Sequence, residues 1–189
     1  MIHSVRFIAV LDTNVLHPVV VRDILFWLAY YDLYRPAWSK HIFEEWEKLI
    51  RKKNPSFDDF EVAKRLKKAD EVFPFARVEN YENLIDGLAL KDPNDRHVLA
   101  AAIKINANVI VTQNLKDFPT DYLAKFNLDS KDPDDFICDI IDLDIENAVD
   151  AFKDMVFHKR NPDLDEFQVL DQLRNAGLNE SANFLHSQI

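Results

Sequence analysis

Glycine and cysteine are scarce in this chain of 189 residues, and long apolar runs are missing. Only two glycines are present, which excludes the glycine-rich loops that cradle phosphates in many nucleotide-binding proteins. The single cysteine, Cys138, permits no internal disulfide and favours a reducing, cytoplasmic compartment. No segment approaches the roughly 18 apolar residues of a membrane helix. The remaining composition, with 48% hydrophobic and 30% charged residues, is typical of a globular domain.

Charge is unevenly distributed along the chain. Residues 1–127 contain 18 Lys and Arg against 18 Asp and Glu, whereas residues 128–189 contain 5 against 15. The second segment therefore carries the whole formal net charge of −10. Two basic clusters, at 48–53 and 64–68, indicate either a phosphate-binding surface or two solvated helix faces. On the first of these readings, Lys48, Arg51 and Lys52 are predicted to contact a nucleic-acid backbone.

Apolar runs that alternate with amphipathic segments predict an α/β fold. Strands are predicted at Val5–Leu11, 33–38, 73–78 and Val109–Thr112, with helices between them. Such an alternation forms a mainly parallel sheet with helices on both faces. Beyond residue 128 the segments are helical, acidic and without a cluster of catalytic groups. We therefore expect an α/β domain at 1–128 and a helical extension at 129–189.

Four carboxylates are predicted to meet at one edge of this sheet. Asp12 follows the first strand and Asp117 lies just beyond the strand at 109–112. Asp95 opens an Ala-rich helix, and Glu45 lies on a helix that begins after Ser39. Ligands of open α/β sheets bind outside the carboxyl ends of the strands. Acids gathered there repel one another unless a hard divalent cation, Mg²⁺ or Mn²⁺, lies among them.

Each acid also has a purely structural explanation. Asp12 can end a strand and cap the next turn, and either Asp92 or Asp95 can cap the Ala-rich helix. Glu45 can be an ordinary helix-surface acid, and the sequence leaves the choice between Glu44 and Glu45 open. The acids are more informative together, because all of them fall at the same edge of the sheet.

Polar side chains beside the acids complete the predicted site. Asn14 and Thr112 are expected to support the carboxylates and, together with Asn114, to contact the substrate. No His or Cys spacing fits zinc, so the predicted cation is bound by oxygen atoms alone. The sequence does not decide between one ion and two.

Four segments, in order, resemble the motifs of PIN-domain ribonucleases. They are residues 10–16, 39–46, 92–102 and 111–119, and residues 133–136 resemble a segment that follows the domain in one subgroup. The resemblance implies a three-layer α/β/α fold and Mg²⁺- or Mn²⁺-dependent cleavage of RNA. It also implies that Asp12, Glu45, Asp95 and Asp117 hold the metal. Many relatives with this arrangement are VapC-type toxins, which form homodimers and are inhibited by a small antitoxin.

These observations favour a metal-dependent endoribonuclease, the toxin of a VapBC-type pair. A first alternative is a catalytically silent PIN-fold module that binds RNA or protein, for which the acidic extension would be a natural contact surface. Loss of one of the acids would favour that alternative, and none is lost. A second alternative is a phosphatase or a DNA flap nuclease that uses the same ions.

Overall fold

A parallel five-stranded sheet forms the centre of the computed structural model, which describes residues 7–159 and 162–189. Its strand order is β3-β2-β1-β4-β5. The strands are β1 (Ile8–Leu11), β2 (Arg35–Ser39), β3 (Arg77–Val78), β4 (Val109–Val111) and β5 (Asp129–Lys131). Val5 and Arg6 of the predicted first strand lie outside the described residues.

Helices cover both faces of the sheet. Among the described residues they are α1 (Thr13–Leu16), α2 (Val19–Tyr30), α3 (Lys40–Lys53), α4 (Asp59–Val72), α5 (Glu82–Ile85), α6 (Arg96–Lys104), α7 (Thr120–Leu123), α8 (Pro133–Leu143), α9 (Ile145–His158), α10 (Glu166–Asn175) and α11 (Asn179–His186). The chain moves from β1 towards β3 through α2, α3 and α4, and returns to β4 through α6. Right-handed crossovers place these two groups of helices on opposite faces. The predicted three-layer α/β/α fold is confirmed.

Local sequence explains where the main helices begin and end. Ser39 begins α3, because its hydroxyl accepts the Ile42 N–H at 3.2 Å. A reciprocal pair of hydrogen bonds between Asp58 and Glu61 begins α4. At the other end of the chain, Gly177 adopts a φ of 92° just after α10, a left-handed conformation that favours glycine and stops the helix.

The central strands are buried on both sides. Val10, Leu11, Ile110 and Val111 have no exposed surface, as expected when helices cover both faces of a parallel sheet. Their continuous apolar character therefore follows from the layered architecture. It also fixes the carboxyl ends of β1 and β4 side by side, since Leu11 pairs with Val111.

Two strands differ from the prediction. The strand predicted at 73–78 is reduced to Arg77–Val78, and Phe75 within the predicted span is 80% exposed. Proline at position 74 cannot donate to a strand ladder. In addition, the polar segment Asp129–Lys131 forms β5 at the sheet edge, where low apolar content is common. The predicted division after residue 128 falls directly before this strand, and the division into two domains stays a prediction.

The C-terminal helices pack on the sheet domain mainly through α2. Tyr31, which follows α2, donates a hydrogen bond of 2.6 Å to Asp154 on α9. Lys159 forms an ion pair with Asp23 at 3.1 Å. In the part of the chain that the structure describes, every helix is too short or too polar to cross a lipid bilayer.

Candidate active site

Asp12 is the most firmly held of the predicted site residues. It follows β1, is only 6% exposed, and caps α1 by accepting the Thr13 N–H at 2.6 Å. Its other carboxylate oxygen accepts hydrogen bonds from Asn14 at 2.6 Å and from Thr112 at 2.8 Å. The pKa of Asp12 is raised overall, because the effect of burial exceeds the lowering by the hydrogen bonds from Thr112 and Thr13. The carboxylate is therefore buried and fixed in orientation.

Glu45 is held on both carboxylate oxygens. The Thr13 hydroxyl donates to Oε2 at 2.6 Å, and His97 Nε2 lies 3.0 Å from Oε1. Burial alone raises the pKa of Glu45, but the contacts with His97 and Thr13 outweigh burial, and the net shift of the pKa is downward. Glu45 also raises the pKa of Asp12 through charge repulsion, so the two acids are near neighbours.

The helix phase of α3 resolves the open choice between Glu44 and Glu45. Glu44 is exposed and forms an ion pair with Lys40 at 3.4 Å, one turn earlier on the same helix. Glu45 is partly buried and faces Thr13 and His97. The side chain that faces the acids is therefore that of Glu45.

Asp95 has the most unusual environment of the four acids. Its Oδ2 atom is buried and has no hydrogen-bond partner among the described residues. Burial, followed by the nearby charges of Asp12, Asp92 and Asp117, raises the pKa of Asp95 to about 6. These contributions show that the acids share one region of the fold. Asp92 caps the 3₁₀ turn Pro93–Asp95 that leads into α6, because its side chain accepts the Asn94 N–H at 2.9 Å, whereas the side chain of Asp95 makes no capping hydrogen bond to α6.

Asp117 lies in the 3₁₀ turn Leu115–Asp117 after β4 and is buried. Asn114 donates a side-chain hydrogen bond to Asp117 Oδ2. Asn14 and Thr112 are linked to each other as well as to Asp12, and Thr112 also accepts the Asn114 N–H at 3.0 Å. The predicted polar residues therefore form one hydrogen-bonded network beneath the acids. Thr112 has no exposed surface, so it supports this network from inside the protein.

The predicted basic residues on α3 lie in different surroundings. Lys48 is one turn after Glu45 and close enough to lower the pKa of that acid. Lys52 is exposed and lies a further turn along, so the three residues share one face of the helix. Arg51 is held by Glu47 and Asp59, each at 2.8 Å. Lys48 and Lys52 are therefore placed for a ligand that extends from the acids, whereas Arg51 is engaged within the protein.

Thr13 and His97 were missed in the sequence analysis. Both contact Glu45, yet one lies on α1 and the other on α6, so only the folded chain brings them together. A signal for His97 was present in the sequence. It is a polar side chain on the otherwise apolar buried face of α6, two residues after Asp95.

The chemistry of the site fits a hard divalent cation. The atoms that could bind a metal ion are carboxylate oxygens, and one of them is buried and has no hydrogen-bond partner among the described residues. Burial also raises the pKa values of Asp12 and Asp95. A cation that prefers oxygen ligands would offset both the burial of these negative charges and the repulsion between them. Within residues 7–159 and 162–189, however, no three His, Cys, Asp or Glu side chains already have the geometry of a formed metal site. The predicted metal ligands therefore stay a prediction.

Comparison with known proteins gives two family matches. Residues 8–116 match a family model described as PIN domain, and residues 133–187 match one described as VapC50 C-terminal domain. The chain is also 43% identical over 79 residues to a protein of Mycobacterium tuberculosis named "Putative ribonuclease VapC50". That alignment covers 42% of this chain and 47% of the relative, so the chain spans about half the length of the curated relative it matches. No solved structure matches the chain.

The PIN-domain match begins at β1 and ends within the turn that carries Asp117. It therefore includes the first three acids and nearly all of the parallel sheet, over more than half of the chain. Architecture, order of motifs and family match agree, and the chain belongs to the PIN-domain family.

Proposed function

We propose that this protein is a metal-dependent endoribonuclease that hydrolyses phosphodiester bonds in RNA. The observation that carries the proposal is the environment of Asp95. Its buried, unpartnered oxygen and its raised pKa are unfavourable for a purely structural acid, and a bound cation would relieve both. The relative named as a ribonuclease supports RNA as the substrate.

In this proposal Asp12, Glu45, Asp95 and Asp117 would hold Mg²⁺ or Mn²⁺. When bound, the ion supplies positive charge that stabilises the charge developing on the scissile phosphate. The hydrogen bonds from Thr13, Asn14 and Thr112 keep Asp12 oriented, so that little reorganisation is needed when substrate arrives. Lys48 and Lys52 would bind the RNA backbone beyond the acids.

Resemblance to VapC proteins supports three further parts of the proposal. The protein would act in the cytoplasm as the toxin of a toxin–antitoxin pair. A small antitoxin would inhibit it, and two copies would associate as a homodimer. Size measurement of the purified protein, alone and with the product of an adjacent small gene, tests both forms of association.

Cleavage assays with matched variants test the activity. Wild-type protein should cleave a labelled RNA in Mn²⁺ and lose that activity in EDTA. Asp12→Asn and Glu45→Gln should lower the rate by at least about 100-fold, because each removes a ligand charge. Glu44→Gln makes the same chemical change one residue away, on the exposed face of α3, and should keep the rate within about twofold of the wild type.

Two results would contradict the proposal. Equal activity of Glu45→Gln and Glu44→Gln would refute the assignment of the acids. RNA binding without cleavage, in either metal and on a panel of RNA substrates, would instead indicate a catalytically silent binding module. Parallel assays with DNA flaps and small phosphoesters separate a ribonuclease from other hydrolases of phosphate esters.

A further inference from the structure

A groove on the side of the molecule that carries α2, α3 and α4 is not used by the proposed chemistry. It has a volume of about 700 Å³, within the range of ligand sites in proteins. One wall is the face of α2 that carries Trp27 and Tyr30, and the other is the face of α4 that carries Phe60 and Lys64. Trp46 of α3 contributes to the lining between them.

The lining of this groove is aromatic and basic. Six of its residues are aromatic and four are Lys or Arg, whereas only Ala69 and Val72 are aliphatic. Tyr30 and Phe60 are 63% and 74% exposed, and they line the same groove, so they belong to one exposed patch rather than being scattered single rings. The cations among these rings distinguish the lining from the hydrophobic groove that receives the apolar face of an amphipathic helix.

Two cations of the groove, Lys64 and Lys68, are available to a ligand, while the acids of the groove are occupied. No carboxylate among the described residues lies within ion-pair distance of Lys64 or Lys68. Asp23 is held between Arg22 and Lys159, each at 3.1 Å. Glu61 is held by the first turn of α4. The groove therefore offers positive charge and few acceptors.

Trp46 independently indicates that the groove lacks a hydrogen-bond acceptor. The residue is 2% exposed, and its indole N–H is buried without a hydrogen-bond partner among the described residues. An indole N–H only donates, and an unpaired buried donor is unfavourable. Arg22, which lies 5.3 Å from the Trp46 ring centroid, also only donates. A ligand rich in acceptors is the chemical complement of this surface.

The groove begins close to the candidate active site. Trp46 directly follows Glu45 on α3. Arg22 donates to the carbonyl oxygen of Leu16, the last residue of the helix that Asp12 caps, at 3.5 Å. The helices that carry or follow two of the acids, α3 and α1, therefore also line or contact the groove.

We propose that this groove binds single-stranded RNA outside the cleavage site, with bases stacked on Tyr30, Trp27 and Phe60 and phosphates paired with Lys64 and Lys68. The choice of RNA rests on the proposed function. Stacking on exposed rings combined with backbone contacts from cations is the general mode by which proteins hold single-stranded nucleic acid. Cleavage would then favour RNA long enough to span both the acids and the groove.

Fluorescence polarisation of a labelled, unstructured 20-nucleotide RNA tests the inference. The measurement uses the full chain in EDTA, so that no cleavage occurs. Lys64→Gln/Lys68→Gln should weaken binding about tenfold at 0.1 M salt, and it should make the slope of log affinity against log salt shallower by about 1.4, the value for two lost phosphate contacts. Tyr30→Ser/Phe60→Ser should weaken binding about tenfold with little change in that slope.

Two exposed neighbours supply matched controls. Lys67→Gln changes a lysine of the same helix that pairs with Glu71 and does not line the groove. Phe75→Ser removes an exposed ring elsewhere on the surface. Both should bind RNA as the wild type does. Circular dichroism of all variants should be unchanged, since the mutated side chains are exposed.

The outcomes for the groove and for the active site are separate. Unchanged RNA affinity in both groove variants, or no RNA binding by the wild type, would overturn the inference whether or not the protein cleaves RNA. A groove that serves a protein partner predicts the first of these results. Loss of binding in the groove variants of a protein that never cleaves RNA would support the groove and refute the proposed function.

Discussion

Asp134 and Asp95, one in each part of the chain, differ in how their charge is compensated. Asp134 in the C-terminal helices is 9% exposed and accepts three hydrogen bonds, from the Glu180 N–H and from the N–H and hydroxyl of Ser181, at 2.6–2.9 Å. Asp95 at the sheet edge has one buried oxygen without a partner among the described residues. The first carboxylate is satisfied by its own protein, and the second keeps one buried oxygen unpaired. A buried, unpartnered oxygen therefore distinguishes Asp95 from Asp134, and it also distinguishes Asp95 from Asp12, Glu45 and Asp117, which are hydrogen-bonded.

The largest expected effect is on activity. Asp95→Asn should lower the rate of Mn²⁺-dependent RNA cleavage at least about 1,000-fold, equivalent to about 4 kcal/mol in the barrier. Asp134→Asn should leave the rate per folded molecule within about twofold of the wild type. Single-turnover cleavage at 20 °C measures both. Equal losses in the two variants would erase the distinction between the acids.

The free energy of unfolding should depend more on Asp134 than on Asp95, the opposite of the order expected for activity. Asp134→Ala leaves two backbone N–H groups and one hydroxyl unpaired at the start of α11, and we expect a loss of about 2–4 kcal/mol in the free energy of unfolding. Thermal or urea unfolding in EDTA provides the measurement. Ser181→Ala, which removes only the hydroxyl, should cost about 1 kcal/mol. A smaller loss for Asp134→Ala than for Ser181→Ala would contradict this account.

His97 should have an intermediate effect, through the position of Glu45. His97→Leu removes the contact with Glu45, and we expect cleavage and Mn²⁺ affinity to fall about 10- to 100-fold. His97→Gln keeps a donor of similar reach and should restore much of both. Mn²⁺ titration by calorimetry complements the rate measurement. Equal behaviour of the two variants would show that His97 contributes only packing.

The smallest expected effect concerns pH. Because the folded pKa of Asp95 is about 6, above the ordinary aspartate value of 3.8, the folded state holds this proton more tightly than the unfolded state. Stability of the metal-free protein should therefore decrease as pH rises from about 4 to 6 and then level off. Asp95→Asn should be more stable than the wild type at pH 8 by about 1 kcal/mol, allowing for partial solvent exposure, but not at pH 4. Differential scanning calorimetry in EDTA at both pH values checks the sign.

Local patterns in the sequence predicted much of the architecture. Ser39 marks the start of α3, and the apolar runs before Asp12 and Asp117 mark the central strands. The missed elements depend on long-range contacts. Strand β5 is polar and owes its existence to pairing with β4, and no local periodicity signals it.

The candidate site was predictable to a similar extent. The proximity of the four acids was predictable because each follows a strand or lies on a helix at the same sheet edge, and their role as metal ligands stays a prediction. Their supporting contacts were not predictable, since Thr13 and His97 meet Glu45 only when α1, α3 and α6 pack together. The choice between Glu44 and Glu45 likewise depends on how α3 is rotated about its axis.

Helix α2 has a consequence for anyone who shortens this protein. Its buried residues Val21, Leu25 and Leu28 lie in a helix that packs against β2 and also against α9. Removal of all residues after 132 would remove α9 and expose the hydrophobic face of α2 to solvent. A truncated form should aggregate unless polar substitutions were made along α2, so a shorter relative of this protein should carry hydrophilic side chains there.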